Sequence, residues 1–453
     1  MDHLDPLRHA RTRNSQDYMT LTGKQVIVLG AGRSGRAAAT LAHAKGAQVR
    51  LYDANPQASF EGLADGIEGF AGASEETGRA SQCDYLVISP GIDTYGSFVK
   101  AFAENAGALI GETELAYRFY VGKIVGITGT NGKTTTTELV QRILEHSGLS
   151  CVACGNYGVP FSEVVMMETV PDAVALELSS FQLETVVEFH ADVAIWLNFS
   201  ADHMDRYTSL DDYFRAKMQI FINQTAADTA VVREGEELGS LVAQHISFSS
   251  EGSAADYHLD GLSIFAGGQK VIDLSETRMR GLHNAENVMS AVAACHALGV
   301  SYATAQAALQ GFAPPMHRCE LIRTLDGVEY LNDSKATNLH ALDSALRSQS
   351  RPVVLLAGGK EKGLEYDELL VRLKDKARCA IVFGEIAPVL HQTFSQVVET
   401  ESVETLDQAV KLAQSHAQHG DVVLLSPGTS SFDQFAGYEA RGDHFRELVH
   451  KLR

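Results

Sequence analysis

The chain has 453 residues, 45% of them apolar, and carries 37 basic against 57 acidic side chains for a net charge of −20. That length suits about three domains, each able to bury a core, and the acidic balance excludes the broad basic footprint of a nucleic-acid-binding protein. A polyanionic ligand would have to be held locally, by loops, helix N-termini, lysines and metal ions.

Residues 1–18 are polar and without an apolar centre, so no secretory leader is expected there. No apolar run approaches ~20 residues, so no membrane span is expected either. The first buried strand reads "QVIVLG" and runs into Gly30-Ala31-Gly32-Arg33-Ser34-Gly35, a GxGxxG turn. "VRLYD" ends in Asp53 about twenty residues on, which is the spacing of a dinucleotide fingerprint. The same turn would suit any diphosphate at a helix N-terminus, so an oxidoreductase remains one reading. "YLVIS" closes this first block, whose expected limits are 1–111.

A helical stretch, "ETELAYRFY", opens the second block, expected over 112–314. The buried strand "KIVGIT" then leads into Gly126–Val140, "GITGTNGKTTTTELV". Gly129 and Gly132 would turn backbone N–H groups onto an anion, Lys133 would add a mobile positive charge, and the Thr134 hydroxyl could face Mg²⁺. Two later strands end in candidate ligands. "DAVALEL" is interrupted by Glu177, and "VAIWLNFS" is followed by Asp202-His203 and Asp205-Arg206. A carboxylate at the end of a buried strand is costly unless paired or metal-bound. In open parallel sheets ligands gather at the carboxyl ends of strands, so the loop, Glu177 and His203 should converge. Magnesium prefers oxygen, which favours Glu177 over the histidine. The glycine-punctuated stretch "DYHLDGLSIFAGGQKVIDL" suggests an antiparallel excursion, and Pro314-Pro315 marks a boundary.

The third block, expected over 315–453, repeats the strand-end pattern. "EYLNDSKATN" offers Asp333, Ser334, Lys335, Thr337 and Asn338; "PVVLLAGGKEKG" offers Lys360 and Lys362; "DVVLLSPGTSS" offers Ser430 and Ser431. Strands lacking polar alternation throughout, each followed by a helical stretch, predict doubly wound parallel α/β sheets covered on both faces. The six cysteines are thinly spread, and the lone Cys151-Val-Ala-Cys154 lies in an apolar, strand-like run. They read as buried thiols rather than a disulfide framework or a zinc site.

The motifs "GITGTNGKTT", "LELSSFQLE", "NFSADHMDRY", "HNAENV", "HRCE", "NDSKATN" and "SPGTSSFDQFAGYEARGDHF", in that order, resemble the Mur ligases. "NDSKATN" and the closing "SFDQF…RGDHF" resemble the D-glutamate-adding branch. The resemblance implies N- and C-terminal Rossmann-like sheets flanking a central P-loop ATPase-like domain. It implies ATP-dependent joining of D-glutamate to UDP-N-acetylmuramoyl-L-alanine through an acyl phosphate, in a cytoplasmic enzyme acting as a monomer on small molecules, with no nucleic-acid or membrane partner.

The resemblance also implies site residues. ATP would lie on Gly129, Thr130, Asn131, Gly132, Lys133, Thr134 and Thr135, with Asn284, Asn287, Arg318 and Asp333. Two Mg²⁺ ions would be held by Thr134, Glu177, His203 and a carbamylated Lys217, although spacing alone makes Lys217 a solvated helix lysine. The nucleotide-sugar would meet Arg33, Ser34, Asp53, Asn55, Gly91, Asn156 and His203, with Ser89-Pro90-Gly91 near its diphosphate. D-glutamate would meet Thr337, Lys362, Ser431 and Tyr438, with Lys360 an alternative to Lys362. Lys133, His203, Lys217 and Lys335 are the implied catalytic side chains. A ligase for another amino acid, an NAD-dependent oxidoreductase and a non-catalytic homologue are the competing readings; the oxidoreductase leaves Lys133, Glu177 and His203 without a role, and the presence of these three with Lys217 argues against the non-catalytic homologue.

Overall fold

The computed structural model describes residues 20–204, 206–252, 254–312, 316–349, 351–361 and 366–453. The polar N-terminal stretch, Asp205, the Pro314-Pro315 boundary and Lys362 lie outside them. Three sheets carry the fold. The first contains β1 (Gln25–Leu29), β2 (Gln48–Asp53), β3 (Ile67–Ala71), β4 (Cys83–Ile88) and β5 (Ala106–Gly111) in the order β3-β2-β1-β4-β5, every pair parallel. Two positions of the turn after β1 demand glycine. A Cβ on Gly35 would stand 1.8 Å from the Gly30 carbonyl oxygen, and Gly30 itself has φ +96°.

The second sheet contains β6 (Lys123–Thr128), β7 (Cys151–Gly155), β8 (Ala173–Glu177), β9 (Val193–Trp196), β10 (Thr229–Arg233), β11 (Gln244–Ser249), β12 (Tyr257–Asp260), β13 (Ser263–Ala266) and β14 (Gln269–Asp273). Their order is β14-β13-β12-β11-β10-β9-β6-β8-β7. The expected antiparallel excursion is β12 to β14; the strands from β7 to β12 run parallel. β6 lies between β8 and β9, and the register sets Ile127 beside Glu177 and Thr128 beside Trp196. Three strand tips therefore meet where the phosphate-type loop leaves the sheet. β8 is buried at every position, as a strand covered on both faces must be. Cys151 and Cys154 lie buried and unbonded on β7.

The chain condenses into two compact units, one running to Glu276 and resuming over Glu286–Gln310, the other made of Thr277–Ala285 and Gly311–Arg453. Within the first unit a continuous apolar core joins Val26, Leu41 and Leu51 through Leu115, Tyr117 and Tyr120 to Ile124, Leu176 and Trp196. The second unit holds the third sheet: β15 (Glu320–Leu325), β16 (Val328–Asn332), β17 (Val353–Gly358), β18 (Ala377–Phe383), β19 (Thr400–Val403) and β20 (Val422–Leu425), ordered β15-β16-β20-β17-β18-β19. Only the β15–β16 hairpin is antiparallel. Its two faces are packed separately, one around Leu342, Leu355 and Leu390, the other around Leu356, Val410 and Phe445. No helix among the described residues is long and apolar enough to cross a membrane.

Candidate active site

The loop between β6 and the helix Lys133–His146 is shaped by two glycines in the left-handed region, Gly129 at φ +156° and Gly132 at φ +86°. Four threonines follow the lysine. They are poor helix formers by themselves, but all four are buried here, and the Thr137 hydroxyl donates to the Lys133 carbonyl at 2.9 Å. Asn198, just past β9, braces the loop from the side. Its carbonyl accepts from Thr130 N at 3.0 Å, its Oδ1 accepts from Asn131 N at 2.9 Å, and its Nδ2 donates to the Asn131 carbonyl at 3.1 Å. Asn287 packs against the same turn, where its Oδ1 would stand 2.4 Å from a Cβ on Gly132 and accepts from the Thr136 hydroxyl at 3.3 Å.

Two lysines converge on one carbonyl of this loop. Lys133 Nζ donates to the carbonyls of Gly129 at 2.9 Å and Thr130 at 3.0 Å. Lys217 Nζ reaches the Gly129 carbonyl at 2.8 Å from the helix Leu210–Met218, and lies 4.9 Å from the Tyr213 ring centroid. Lys217 is 1% exposed, so it is not the solvated helix lysine that its spacing suggests. Burial, and then the charge of Lys133, push its ammonium well below the usual lysine range, against the pull of Asp202 and Glu177. The amine is therefore held toward its neutral, nucleophilic form.

Glu177 is 2% exposed. Its Oε1 accepts from Asn156 Nδ2 at 2.8 Å, and its Oε2 is buried with no hydrogen-bond partner. An unspent buried carboxylate oxygen beside a phosphate-type loop, with the buried Thr134 at the head of the helix, matches the hard-oxygen demand of one magnesium ion. Among the described residues no three His, Cys, Asp or Glu side chains form a ready cage. A second ion would therefore need a further oxygen donor, which Lys217 as an amine does not supply.

His203 sits on the loop after β9 in the left-handed region, at φ 57°, and is exposed. Its ring meets Phe181 edge-on at 5.0 Å and Tyr213 at 5.9 Å. Of the described groups on that loop, Asp202 is one whose charge is felt at Lys217.

The expected nucleotide-sugar residues surround the first glycine turn, several with protein partners of their own. Asp53 accepts from Ala31 N of the glycine turn at 2.7 Å on one oxygen and from Asn55 N, two residues on, at 2.8 Å on the other. Ser34 is half-buried, Asn55 and Gly91 are exposed, and Ser89 Oγ donates to the Gly30 carbonyl at 3.3 Å. Arg33 donates to the Gly158 carbonyl at 3.0 Å and pairs with Glu163 at 3.2 Å, which ties the turn to the segment after β7. The same segment carries Asn156 to Glu177 and donates the Tyr157 hydroxyl to Glu138.

The second unit gathers the remaining expected residues except Lys362. Asp333 accepts from Ser426 Oγ at 2.9 Å and from Cys319 N at 3.2 Å. Burial raises its carboxyl to about 7, with Arg318 pulling the other way. Lys335 Nζ lies 5.1 Å from the Tyr438 ring centroid. Lys360 N donates to the Ser430 carbonyl at 2.9 Å, joining the loops after β17 and β20; Ser431 is buried beside it. Thr337 precedes the cap Asn338, whose side chain accepts from Ala341 N. Asn284 Nδ2 donates to the Arg280 carbonyl at 2.9 Å. Arg441, which opens the RGDHF motif but was given no role from the sequence, is wholly buried and donates to Ser334 Oγ and to the carbonyls of Ser334, Gly358 and Thr429.

Two family models match: the Mur ligase middle domain over residues 127–295, and the glutamate ligase domain of Mur ligases over residues 317–428. The chain is 36% identical over 456 residues to a UDP-N-acetylmuramoylalanine–D-glutamate ligase of Alkaliphilus metalliredigens, covering 96% of this chain and 100% of that one. It belongs to the Mur ligase family. A relative with the same name from Chlorobium phaeobacteroides strain BS1 is 38% identical, covering 96% and 99%. Among solved structures, the MurF ligase of Thermotoga maritima in complex with ADP superposes with a TM-score of 0.60 at 16% identity, each chain covered fully. A pseudomurein peptide ligase type C from Methanothermus fervidus gives 0.59 at 17%, covering 95% and 100%. At such identities these two show that the Mur ligase fold is shared.

Proposed function

We propose that the chain joins D-glutamate to the L-alanine carboxylate of UDP-N-acetylmuramoyl-L-alanine at the expense of ATP, in the cytoplasmic stage of peptidoglycan synthesis, acting as a monomer. One observation carries the chemistry. Lys133 and a buried Lys217 share the Gly129 carbonyl in the phosphate-type loop, within electrostatic reach of Glu177. The choice of D-glutamate follows the relatives' names and the cluster of Lys335, Tyr438, Lys360 and Ser431 in the second unit. In this reading residues 1–111 bind the nucleotide-sugar, 112–314 bind ATP, and 315–453 bind the incoming amino acid.

A carboxylate carbon is a poor electrophile, so the reaction starts by activating it. An oxygen of the L-alanine carboxylate attacks the γ-phosphorus, the bond to the β,γ-bridging oxygen breaks, and ADP leaves. The D-glutamate amine, once deprotonated, then attacks the carbonyl carbon of the acyl phosphate. The C–O bond breaks, and inorganic phosphate departs with one oxygen of the original carboxylate.

Lys133, released from its own loop carbonyls when phosphate arrives, neutralises charge on the transferring group. Magnesium, when bound, supplies further neutralisation of the phosphate oxygens. The open oxygen of Glu177 and the Thr134 hydroxyl would hold one ion; His203 and Lys217 would hold the second, provided Lys217 is carbamylated. The downward shift of the buried amine favours that modification, since only a free amine adds CO2. Arg318, Asn284, Asn287 and Asp333 serve the ATP side. Lys335, Thr337, Tyr438, Ser431 and either Lys360 or Lys362 serve D-glutamate.

Phosphate release with the nucleotide-sugar, ATP and a panel of amino acids tests this. Release that depends on D-glutamate, and not on L-alanine or meso-diaminopimelate, is expected. Equal release with another amino acid would reassign the substrate.

A further inference from the structure

Between β4 and β5 of the first sheet, the loop Ser89–Thr94 carries the residues expected beside the diphosphate. After β9 of the second sheet, His203, expected at the nucleotide-sugar and a magnesium ion, has its carbonyl bonded by the amides of Arg206 and Tyr207. One side chain connects the two. Arg206 donates through Nη2 to the Ile92 carbonyl at 2.8 Å, through Nη1 to the Pro90 carbonyl at 3.4 Å, and through Nη2 to the Thr94 hydroxyl at 3.5 Å. Its Nη2 also pairs with Glu184 at 3.4 Å. The Glu184 side chain is 2% exposed. It accepts from the Thr94 hydroxyl at 2.6 Å on one oxygen and from the Tyr207 hydroxyl at 2.6 Å on the other.

The same arginine is tied to His203. The amides of Arg206 and Tyr207 both donate to the His203 carbonyl, at 3.0 and 3.1 Å. The guanidinium carbon lies 4.2 Å from the centroid of the Phe181 ring, against which His203 packs edge-on and Tyr207 stacks. A planar guanidinium fork suits these contacts, because it spans two carbonyls, stacks on an aromatic face and keeps its charge. A surface arginine would be a loose anchor. Here the side chain is 15% exposed against a buried carboxylate, so its geometry is set from several sides.

We propose that Arg206, seated on Glu184, is a positioning residue that registers the nucleotide-sugar's diphosphate loop against the His203 turn. Its role is to place the acceptor carboxylate relative to the phosphate-type loop. The inference rests on the proposed function, since it requires the Ser89–Thr94 loop to contact the nucleotide-sugar. It adds a residue that touches neither ATP nor the reacting atoms.

The test is steady-state kinetics on wild type, Arg206→Gln, Arg206→Lys, Thr94→Val and the Arg206→Gln/Thr94→Val pair, each with its melting temperature. Arg206→Gln should raise the KM for the nucleotide-sugar by about tenfold, with the KM for ATP changed less than about twofold. Thr94→Val should shift the same constant in the same direction. The double variant should fall short of the product of the two single effects, because both remove one linkage. Arg206→Lys should recover little, since a point charge cannot span both carbonyls.

A nucleotide-sugar KM that stays within about twofold in Arg206→Gln, or single effects that multiply fully, would overturn the proposal. If Arg206→Gln does not fold, Thr94→Val decides alone: an unchanged nucleotide-sugar KM overturns the proposal. Absence of D-glutamate-dependent phosphate release in the wild type would instead remove the proposed function on which it rests.

Discussion

Replacing Arg441 by methionine keeps most of the side-chain volume and removes the guanidinium from a site with no exposure to solvent. Arg441 makes five hydrogen bonds: 3.0 Å to Ser334 Oγ, 2.8 Å to the Ser334 carbonyl, 3.3 Å to the Gly358 carbonyl, and 3.3 and 3.2 Å to the Thr429 carbonyl. These acceptors belong to the loop after β16, the last residue of β17 and the loop after β20, next to Lys335, Lys360 and Ser431. Burial lowers the guanidinium to about 10, so it is still cationic at neutral pH. The substitution relieves the cost of burying that cation, but leaves carbonyls in the interior without this donor, at about 1–3 kcal/mol each. A net loss of about 3–5 kcal/mol is expected, the range for breaking a buried charged network. At about 2–4 °C per kcal/mol for a unit of this size, the third-sheet unit should melt roughly 10 °C lower by calorimetry, and the KM for D-glutamate should rise. Lysine at this position should not rescue, because its three donors leave from one point. A methionine variant melting within about 2 °C of wild type, with its D-glutamate KM unchanged, would refute the reasoning.

Removing the loop lysine, Lys133→Ala, should lower kcat by about 10²–10³, the usual contribution of one preorganised charge stabiliser; a loss below about tenfold would remove Lys133 from the transition state. Lys217→Ala should be inactive and partly restored by a short carboxylic acid, and its activity should not respond to bicarbonate; failure of rescue would remove the carbamate from the account. For Asp333 the folded carboxyl titrates near 7 against 3.8 when unperturbed. Between those values the folded chain keeps a proton that the unfolded chain has lost, so stability falls as pH rises through the interval. Asp333→Asn should therefore gain in melting temperature over wild type as pH goes from 4 to 8, and a pH-independent difference would refute the assignment.

Much of the architecture is written in local pattern. Uninterrupted apolar runs marked β1, β6, β8 and β17 as two-faced strands, and glycine punctuation marked β12 to β14 as antiparallel, because both signals depend on near neighbours in sequence. The spacing of Gly129, Gly132 and Lys133 likewise located the phosphate-type loop. Lys217 was not legible this way. Its helix looks solvated on a charge count, and its buried ammonium bonds to a carbonyl 88 positions earlier. The roles of Asn198, Arg206 and Arg441 were hidden in the same way, although all three fall in quoted stretches: most of their partners are backbone carbonyls or amides on distant loops, which carry no side-chain signature. For Arg33, where the resemblance implies a nucleotide-sugar contact, the guanidinium meets Glu163 and the Gly158 carbonyl, partners that local pattern does not reveal either.

The central claim is that the strand tips of β6, β8 and β9 make an acyl phosphate from the acceptor carboxylate. The most direct measurement follows ¹⁸O placed in the L-alanine carboxylate of the nucleotide-sugar through one turnover with ATP and D-glutamate. One labelled oxygen in the released inorganic phosphate is the predicted result. Unlabelled phosphate, with the displaced carboxylate oxygen lost to water instead, would contradict the account.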